Sequence, residues 1–598
     1  MCGIIGYAGS RSAVGVLIEG LKNLEYRGYD SSGIAVADGT HLFLEKKAGK
    51  LENLERSLLK KRVEGKCGIG HTRWATHGAA TDENAHPFFS RYAKFAVVHN
   101  GIITNYLELA RFLRERGVCL SSDTDSEVVA HLIDFYYTGD VLSATLRAVK
   151  DLTGSFALGV VSVYEKEVVY GVRKDSPLLA GEGKNGNYIC SDLSGISEDC
   201  EKYYALSNGE VARITPRDIR LFGFDGKERA FRPETTSEFE RAFGAKDAES
   251  FMLSEIREVP TSLSSVSESY PEEEMKRLLR ENFGRFCLIG CGSAYHAALS
   301  FKAAMRELCG VRTEDSVASE FLTERWEGGD RPLVIAVSQS GETADTLKAA
   351  LKAKEKGAKV LCVCNVRSSS LVRLSDAAIL TRCGTERAVA ATKSYAAQVI
   401  ALLRLALTYA EISGKMTKTD LERYKEEIFL LPAKAREALK LEKSVAELCL
   451  RVKDAKAVFF LGRNADYYAA KEGSLKLKEI SYLSSEAYPS GELKHGTLAL
   501  MEKGVYAFMI STNPALKEKN ASSLAEVKAR GAQTIVVTNE DCAEDFGADR
   551  FLRIPKCPAV FSPAVSCVAT QLFSYYIAKY RGCDADKPRN LAKSVTVE

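Results

Sequence analysis

The chain has 598 residues, of which 82 are basic and 79 acidic, for a formal charge of +3. Hydrophobic residues make up 45% and charged residues 27%, the balance of a soluble globular protein, and one core does not extend over so long a chain. Near-neutrality removes the electrostatic case for nucleic acid or an anionic membrane as partner. No window reaches the run of about eighteen apolar residues that a membrane span needs, and the most apolar stretch, VIALLRLALTYAEI, carries Arg404 in its middle.

The chain opens MCGIIGYAG, with no basic segment ahead of an apolar core, so it does not read as a secretory signal. Removal of Met1 would leave Cys2 with a thiol and a free α-amine of pKa about 7.7–8.0, a nucleophile and a base on one residue. The sixteen cysteines form no CxxC pairs, and Cys287, Cys362 and Cys364 sit in strand-like runs. They read as small core side chains in a reducing, cytoplasmic setting.

Up to about residue 235 the chain alternates short β-type runs (GIIGYAG, GIAVA, FAVVHNG, FALGVVSVY, EVVYGVR) with helical patterns such as NYLELARFLRERG. Packed sheets with helices on their faces are the expectation. The polar stretch RPETTSEFERAFGAKDAE suits a linker, placed at 236–250.

The second half repeats itself. RFCLIGCGSAYHAAL (285–299) aligns with AVFFLGRNADYYAAK (457–471), PLVIAVSQSG (332–341) with VYAFMISTNP (505–514), and KGAKVLCVCN (356–365) with RGAQTIVVTN (530–539). Three matches in one order, at shifts of 172, 173 and 174, imply two tandem doubly wound parallel α/β domains, at 251–425 and 426–588. Ligands in such sheets bind at the carboxyl ends of strands. There the first copy carries Ser338-Gln339-Ser340-Gly341-Glu342-Thr343 ahead of a helix, and Gly292-Ser293 makes a second corner. Hydroxyls and N–H groups at a helix N-terminus suit a phosphate, although Ser and Thr also serve as plain caps. In the second copy Lys476 and Glu479 share one helix face, a spacing that by itself is usually a surface ion pair. His495 follows in a turn-like GELKHG.

SQSGET, LKLKEISY, EAYPSGELKHG and PRNLAKSVTVE resemble the tandem sugar isomerase domains of the isomerising glutamine–fructose-6-phosphate aminotransferases, the glucosamine-6-phosphate synthases. MCGIIGYAG, LEYRGYDSSGIA, GIGHTRWATHG, HNGIITNY and SSDTDSEVVAHL resemble the glutamine amidotransferases with an N-terminal nucleophile, in family order. The resemblance runs from Cys2 to Glu598 and implies an α/β/β/α layered glutaminase (2–235), the two isomerase domains, and a tail (589–598) that contributes to the sugar site.

By that resemblance Cys2 is the nucleophile and Asn100 with the Gly101 N–H forms the oxyanion hole. Arg73 and Asp125 hold the α-carboxylate and α-ammonium of glutamine, and Trp74, Thr76 and His77 belong to a loop that closes on it. Ser293, Ser338, Gln339, Ser340 and Thr343 hold the sugar phosphate, and Val389 and Ala391 line the sugar through their backbone. Glu479 moves the proton between C1 and C2 beside Lys476, His495 assists ring opening from a neighbouring subunit, and Lys593 forms a Schiff base with the open-chain ketose.

The substrates implied are L-glutamine and fructose 6-phosphate, with a homodimer as the assembly and no cofactor or metal. His71 and His99 read as structural. Ala294 and Ala391 stand where relatives often carry serine, and Thr497 where they often carry proline. Two other readings compete: an amidotransferase with a different phosphosugar acceptor, and a non-catalytic sugar-phosphate-sensing regulator. SQSGET in a tandem repeat argues against the first. The joint presence of Cys2, Glu479 and Lys593 argues against the second.

Overall fold

The computed structural model describes residues 2–75, 78–196, 198–236, 250–539 and 547–596. The chain divides into two compact units, Met1–Phe243 with Ala592–Glu598, and Gly244–Leu591. Thr76, His77 and most of the expected linker, 237–249, lie outside the described residues.

The first unit stacks an eight-stranded and a seven-stranded sheet, both built from antiparallel pairs. In the first sheet Gly3–Gly9 lies between Gly186–Cys190 and Cys67–Arg73. Alternation along Gly3–Gly9 builds the layers, because successive side chains of a strand point to opposite faces. Ile5 and Tyr7 pack with Leu17 and Leu21 of helix Ala13–Leu24. Ile4 and Ala8 face inward, into one cluster with Ile69, Val98 and Ala157, which joins the two sheets. On the outer face of the second sheet, Phe95 and Val97 meet Leu109, Val128, Leu132 and Ala144 of the helices Tyr106–Arg114, Glu127–Tyr136 and Val141–Asp151. The order is helix, sheet, sheet, helix, as the sequence leads one to expect.

The second unit holds two parallel five-stranded sheets. Glu314–Val317, Arg285–Gly290, Pro332–Ser338, Lys359–Cys364 and Ala377–Leu380 lie side by side in that order. Ser485–Pro489, Ala457–Gly462, Val505–Ser511, Gln533–Thr538 and Arg550–Arg553 repeat it. Pro332–Ser338 and Val505–Ser511 are buried along their whole length, as strands covered on both faces must be. Helix Lys393–Ser413 is long and apolar enough to cross a membrane, yet 72% of its most apolar window is buried within this unit.

The expected boundary at 425/426 falls inside helix Lys418–Ala438. Leu288 and Val337 of the first sheet, Ile428 and Leu431 of that helix, and Phe460 and Phe508 of the second sheet belong to one cluster. No cut there separates two cores. The ends of the unit also meet: Asp586 accepts from the Phe251 N–H (2.9 Å), the Met252 N–H (2.7 Å) and the Ser250 hydroxyl (3.0 Å).

Candidate active sites

In the first unit, strand Gly3–Gly9 pairs with Cys67–Arg73 and brings Cys2 to the end of the latter. The Trp74 N–H donates to Cys2 Sγ at 3.3 Å, and the thiol faces the Trp74 carbonyl at 3.6 Å. Burial pushes the Cys2 thiol up from its ordinary pKa, against the pull of the positive chain terminus, the Trp74 contact and Arg73. Forming a thiolate here near neutral pH therefore needs a base beside it. The Trp74 peptide is fixed by two features. Asp30 accepts from the Ala75 N–H at 2.8 Å, and Gly28 lies so close that a Cβ there would sit 2.7 Å from Trp74 N.

Asn100 reaches the same place from the second sheet, its Nδ2 donating to the Cys2 carbonyl at 2.8 Å. Gly101 follows with φ +128°, and a Cβ on it would meet the Ser155 carbonyl at 2.0 Å, so only glycine turns the chain here. Arg73 is buried and donates to the carbonyls of Gly78 (3.1 Å) and Ala79 (3.2 Å), and burial lowers its pKa. Asp125 is buried, accepting from the Ile103 N–H at 2.8 Å and the Ser126 hydroxyl at 3.2 Å.

In the second unit, Ser338, Ser340 and Thr343 gather between strand Pro332–Ser338 and helix Ala344–Glu355. The Ser338 hydroxyl lies 3.2 Å from that of Thr343 and accepts from the Gly341 N–H at 3.0 Å. Gly341 has φ +66°, and a Cβ there would sit 2.2 Å from the Ser369 hydroxyl. Gln339 lies half-buried in the same loop, its carbonyl accepting from the Asn365 N–H at 3.1 Å. The Ser293 hydroxyl turns elsewhere, donating to Glu472 at 2.8 Å.

The second copy differs at the equivalent corner. Asp466, at the start of helix Ala465–Ser481, accepts from the Thr512 N–H (2.8 Å) and from the hydroxyls of Thr512 (2.6 Å) and Ser562 (2.8 Å). The chain's own carboxylate fills the loop that in the first copy presents hydroxyls. Burial pushes the Asp466 carboxyl up.

Helix Ala465–Ser481 carries Glu472, Lys476 and Glu479 on one face. Lys476 is 1% exposed, bonded to Glu479 and 3.6 Å from Glu472. Burial opposes its charge, but the two carboxylates outweigh that and raise its pKa. Val389 spends its N–H on the Asp586 carbonyl (3.0 Å), so a backbone contact to a sugar would use its own carbonyl. Ala391 is half-buried in the same loop, and His495 is exposed at the end of a short helix, Glu492–His495. Lys593 lies in the Ala592–Glu598 tail, which groups with the first unit. The second unit by itself thus brings Lys476 and Glu479 together without this lysine.

A glutamine amidotransferase domain matches residues 71–198, and an SIS domain matches twice, at 279–408 and 452–578. A glutamine–fructose-6-phosphate aminotransferase (isomerising) of Clostridium tetani is 42% identical over 610 residues, covering all of both chains. The chain belongs to the isomerising glutamine–fructose-6-phosphate aminotransferase family. The family member of Aquifex aeolicus is 40% identical over 604 residues, again across both whole chains. The C-terminal domain of the Francisella tularensis glucosamine-fructose-6-phosphate aminotransferase is 35% identical with a TM-score of 0.56, covering 58% of this chain and all of that one. The tagatose-6-phosphate ketose/aldose isomerase of Escherichia coli, 16% identical with a TM-score of 0.50 over 58% of this chain and 99% of its own, shares the fold alone.

For this member of the family, sequence reasoning passed over the residues that hold the machinery in place. Glu472 ties Ser293 and His296 (2.9 Å) of the first copy to Lys476 of the second. Glu386 accepts from the Thr392 N–H (2.8 Å) and the Ser394 N–H (3.0 Å) and hydroxyl (2.7 Å), while Glu255 accepts from the Arg387 and Ala388 N–H groups. These two buried carboxylates shape the loop bearing Val389 and Ala391. Nothing in the sequence sets them apart: Glu255 follows Ser254, Glu386 lies between Thr385 and Arg387, and Glu472 between Lys471 and Gly473.

Proposed function

We infer that this chain transfers the amide nitrogen of L-glutamine to fructose 6-phosphate and isomerises the product to glucosamine 6-phosphate, releasing glutamate. The observation that carries the reading is the Cys2 thiol held against the Trp74 peptide beside the Asn100 amide and Gly101, in a chain whose second half presents a hydroxyl-lined loop and a Lys–Glu pair.

In the first unit the Cys2 α-amine, freed by loss of Met1, takes the thiol proton directly or through a water. The thiolate attacks the carboxamide carbon of glutamine, and negative charge develops on its oxygen. Asn100 Nδ2 and the Gly101 N–H stabilise that oxygen, and each such donor is typically worth about 3 kcal/mol. Collapse expels ammonia, and water releases glutamate from the thioester. Arg73 and Asp125 hold the two charged ends of glutamine, and Trp74, Thr76 and His77 close over it. In the second unit Ser293, Ser338, Gln339, Ser340 and Thr343 take the phosphate, and Val389 and Ala391 line the sugar. His495 opens the ring in a neighbouring copy, which its exposure on the single chain supports and which requires a homodimer. Lys593 forms an imine with the ketose carbonyl, ammonia displaces the lysine, and Glu479 moves the proton between C1 and C2 with Lys476 beside it.

Ammonia, a lysine imine and acid–base groups suffice for this chemistry without a cofactor or metal. Metabolites of this kind and reduced cysteines fit a cytoplasmic enzyme, with no nucleic acid or membrane as partner. Incubation with glutamine and fructose 6-phosphate is expected to give glucosamine 6-phosphate and glutamate in equal amounts. Glutamate without amino sugar would overturn the acceptor.

A further inference from the structure

Strand Cys67–Arg73 places His71 two residues before Arg73, on the face turned toward the second sheet. Its ring crosses to that sheet. Nε2 lies 3.0 Å from the His99 carbonyl and 2.9 Å from Asn100 Oδ1. A carbonyl only accepts, so Nε2 must carry the proton, and the atom of Asn100 facing it must be the oxygen. The other branch of the amide, Nδ2, is then turned to the Cys2 carbonyl at 2.8 Å, a second group that only accepts. Two independent carbonyls thus fix one orientation of the amide.

The ring itself is held. His86 stacks on it with centroids 4.1 Å apart and planes 16° apart, and His86 Nδ1 accepts from the His99 N–H at 3.2 Å. His71 Nδ1 is buried without a hydrogen-bond partner among the described residues, so nothing stabilises a second proton. Burial accordingly lowers the His71 pKa to about 3, against the two hydrogen bonds that favour its protonation.

We propose that His71 is the positioning residue of the oxyanion hole, its Nε2–H locking the Asn100 amide so that Nδ2 rather than Oδ1 faces the reacting carbonyl. This rests on the reading of Asn100 as the oxyanion donor. Without the His71 donor only the Cys2 carbonyl still orients the amide, and a half-turn that presents an oxygen to the developing negative charge, where it repels, becomes less costly.

The test is a matched pair of equal side-chain length, His71→Met without a donor and His71→Gln with one, each with and without Asn100→Ala, in the full chain. Glutamate release is expected to fall about 10- to 100-fold in kcat in His71→Met, somewhat less than loss of a whole oxyanion donor. KM for glutamine is expected to stay within about two-fold, and His71→Gln to recover most of the rate. Alkylation of Cys2 by iodoacetamide, which forms no oxyanion, is expected to keep its rate. Adding His71→Met to Asn100→Ala is expected to cost less than about two-fold, because the histidine acts only through the amide.

A kcat unchanged in His71→Met overturns the proposal, as does a full additional loss on top of Asn100→Ala. A joint fall of kcat, glutamine affinity and alkylation rate in both variants assigns His71 a structural role and overturns it too. An unchanged kcat in Asn100→Ala alone overturns instead the reading of Asn100 on which the proposal stands.

Discussion

Gly101 shows how much one residue can decide. The chain turns there, next to Asn100, through φ +128° against the Ser155 carbonyl. Gly101→Ala puts a methyl into that carbonyl and a side chain into a backbone region it rarely adopts, a strain on the order of 1–3 kcal/mol. We expect glutamine hydrolysis to fall by at least tenfold and the melting temperature of the first unit to drop, both measurable on the purified variant. Glu479 makes a second case. Removing its charge in Glu479→Gln leaves the hydroxyls at 338–343 in place, so fructose 6-phosphate should still bind while isomerisation stops. Binding and turnover measured side by side separate the two roles, and turnover at the parental rate would remove Glu479 from the chemistry.

Single elements carry the next level of organisation. Helix Glu127–Tyr136 begins with a buried carboxylate that organises the loop bearing Asp125. Glu127 accepts from the N–H and hydroxyl of Ser121 (2.9 and 2.8 Å) and of Ser122 (2.7 and 2.8 Å), with His131 at 3.5 Å. Burial pushes its pKa up, but the contacts to His131, Ser121 and Ser122 outweigh that and bring it down to about 2. A carboxyl whose pKa is lower folded than unfolded stabilises the fold in full above its unfolded pKa, and that stability is lost as pH falls. The contribution, on the order of 2 kcal/mol, should therefore be constant above about pH 4.5 and vanish progressively toward pH 2. Denaturation of the chain and of Glu127→Gln across that range is expected to show two curves that converge in acid. The variant should also bind glutamine more weakly, because Asp125 rides on the same loop. In the repeat, equivalent elements part company at the strand ends: Ser338 and Thr343 leave hydroxyls facing one another, whereas Thr512 is already bonded to Asp466. The sequence displayed the duplication, but the filling of the second corner depends on a side chain 46 residues away.

At the scale of the molecule, each unit has its own core. Losing the Cys2 thiol therefore leaves the core of the second unit intact. Cys2→Ala should abolish glutamine-dependent synthesis and leave ketose–aldose isomerisation at its parental rate, and loss of both activities in a folded variant would refute the division of labour. The mature mass is part of the same argument, since retained Met1 would deny Cys2 its amine and glutaminase activity should then be absent.

Short β-type runs, a repeat at a near-constant shift and short motifs made the layered first half and the tandem parallel sheets readable from the chain alone and put candidate residues at strand ends, because strand faces and strand-end loops are local properties. The carboxylates Glu255, Glu386 and Glu472, the carboxylate in the second corner and the histidine behind Asn100 were not readable. Apart from Glu386, whose partners Thr392 and Ser394 are near in sequence, they bond across long stretches of chain, and a buried polar group acquires meaning only from what burial places against it. The same physics acts where the two copies meet. Helix Lys418–Ala438 spans residue 425, and packing gave its apolar face to a core both sheets share.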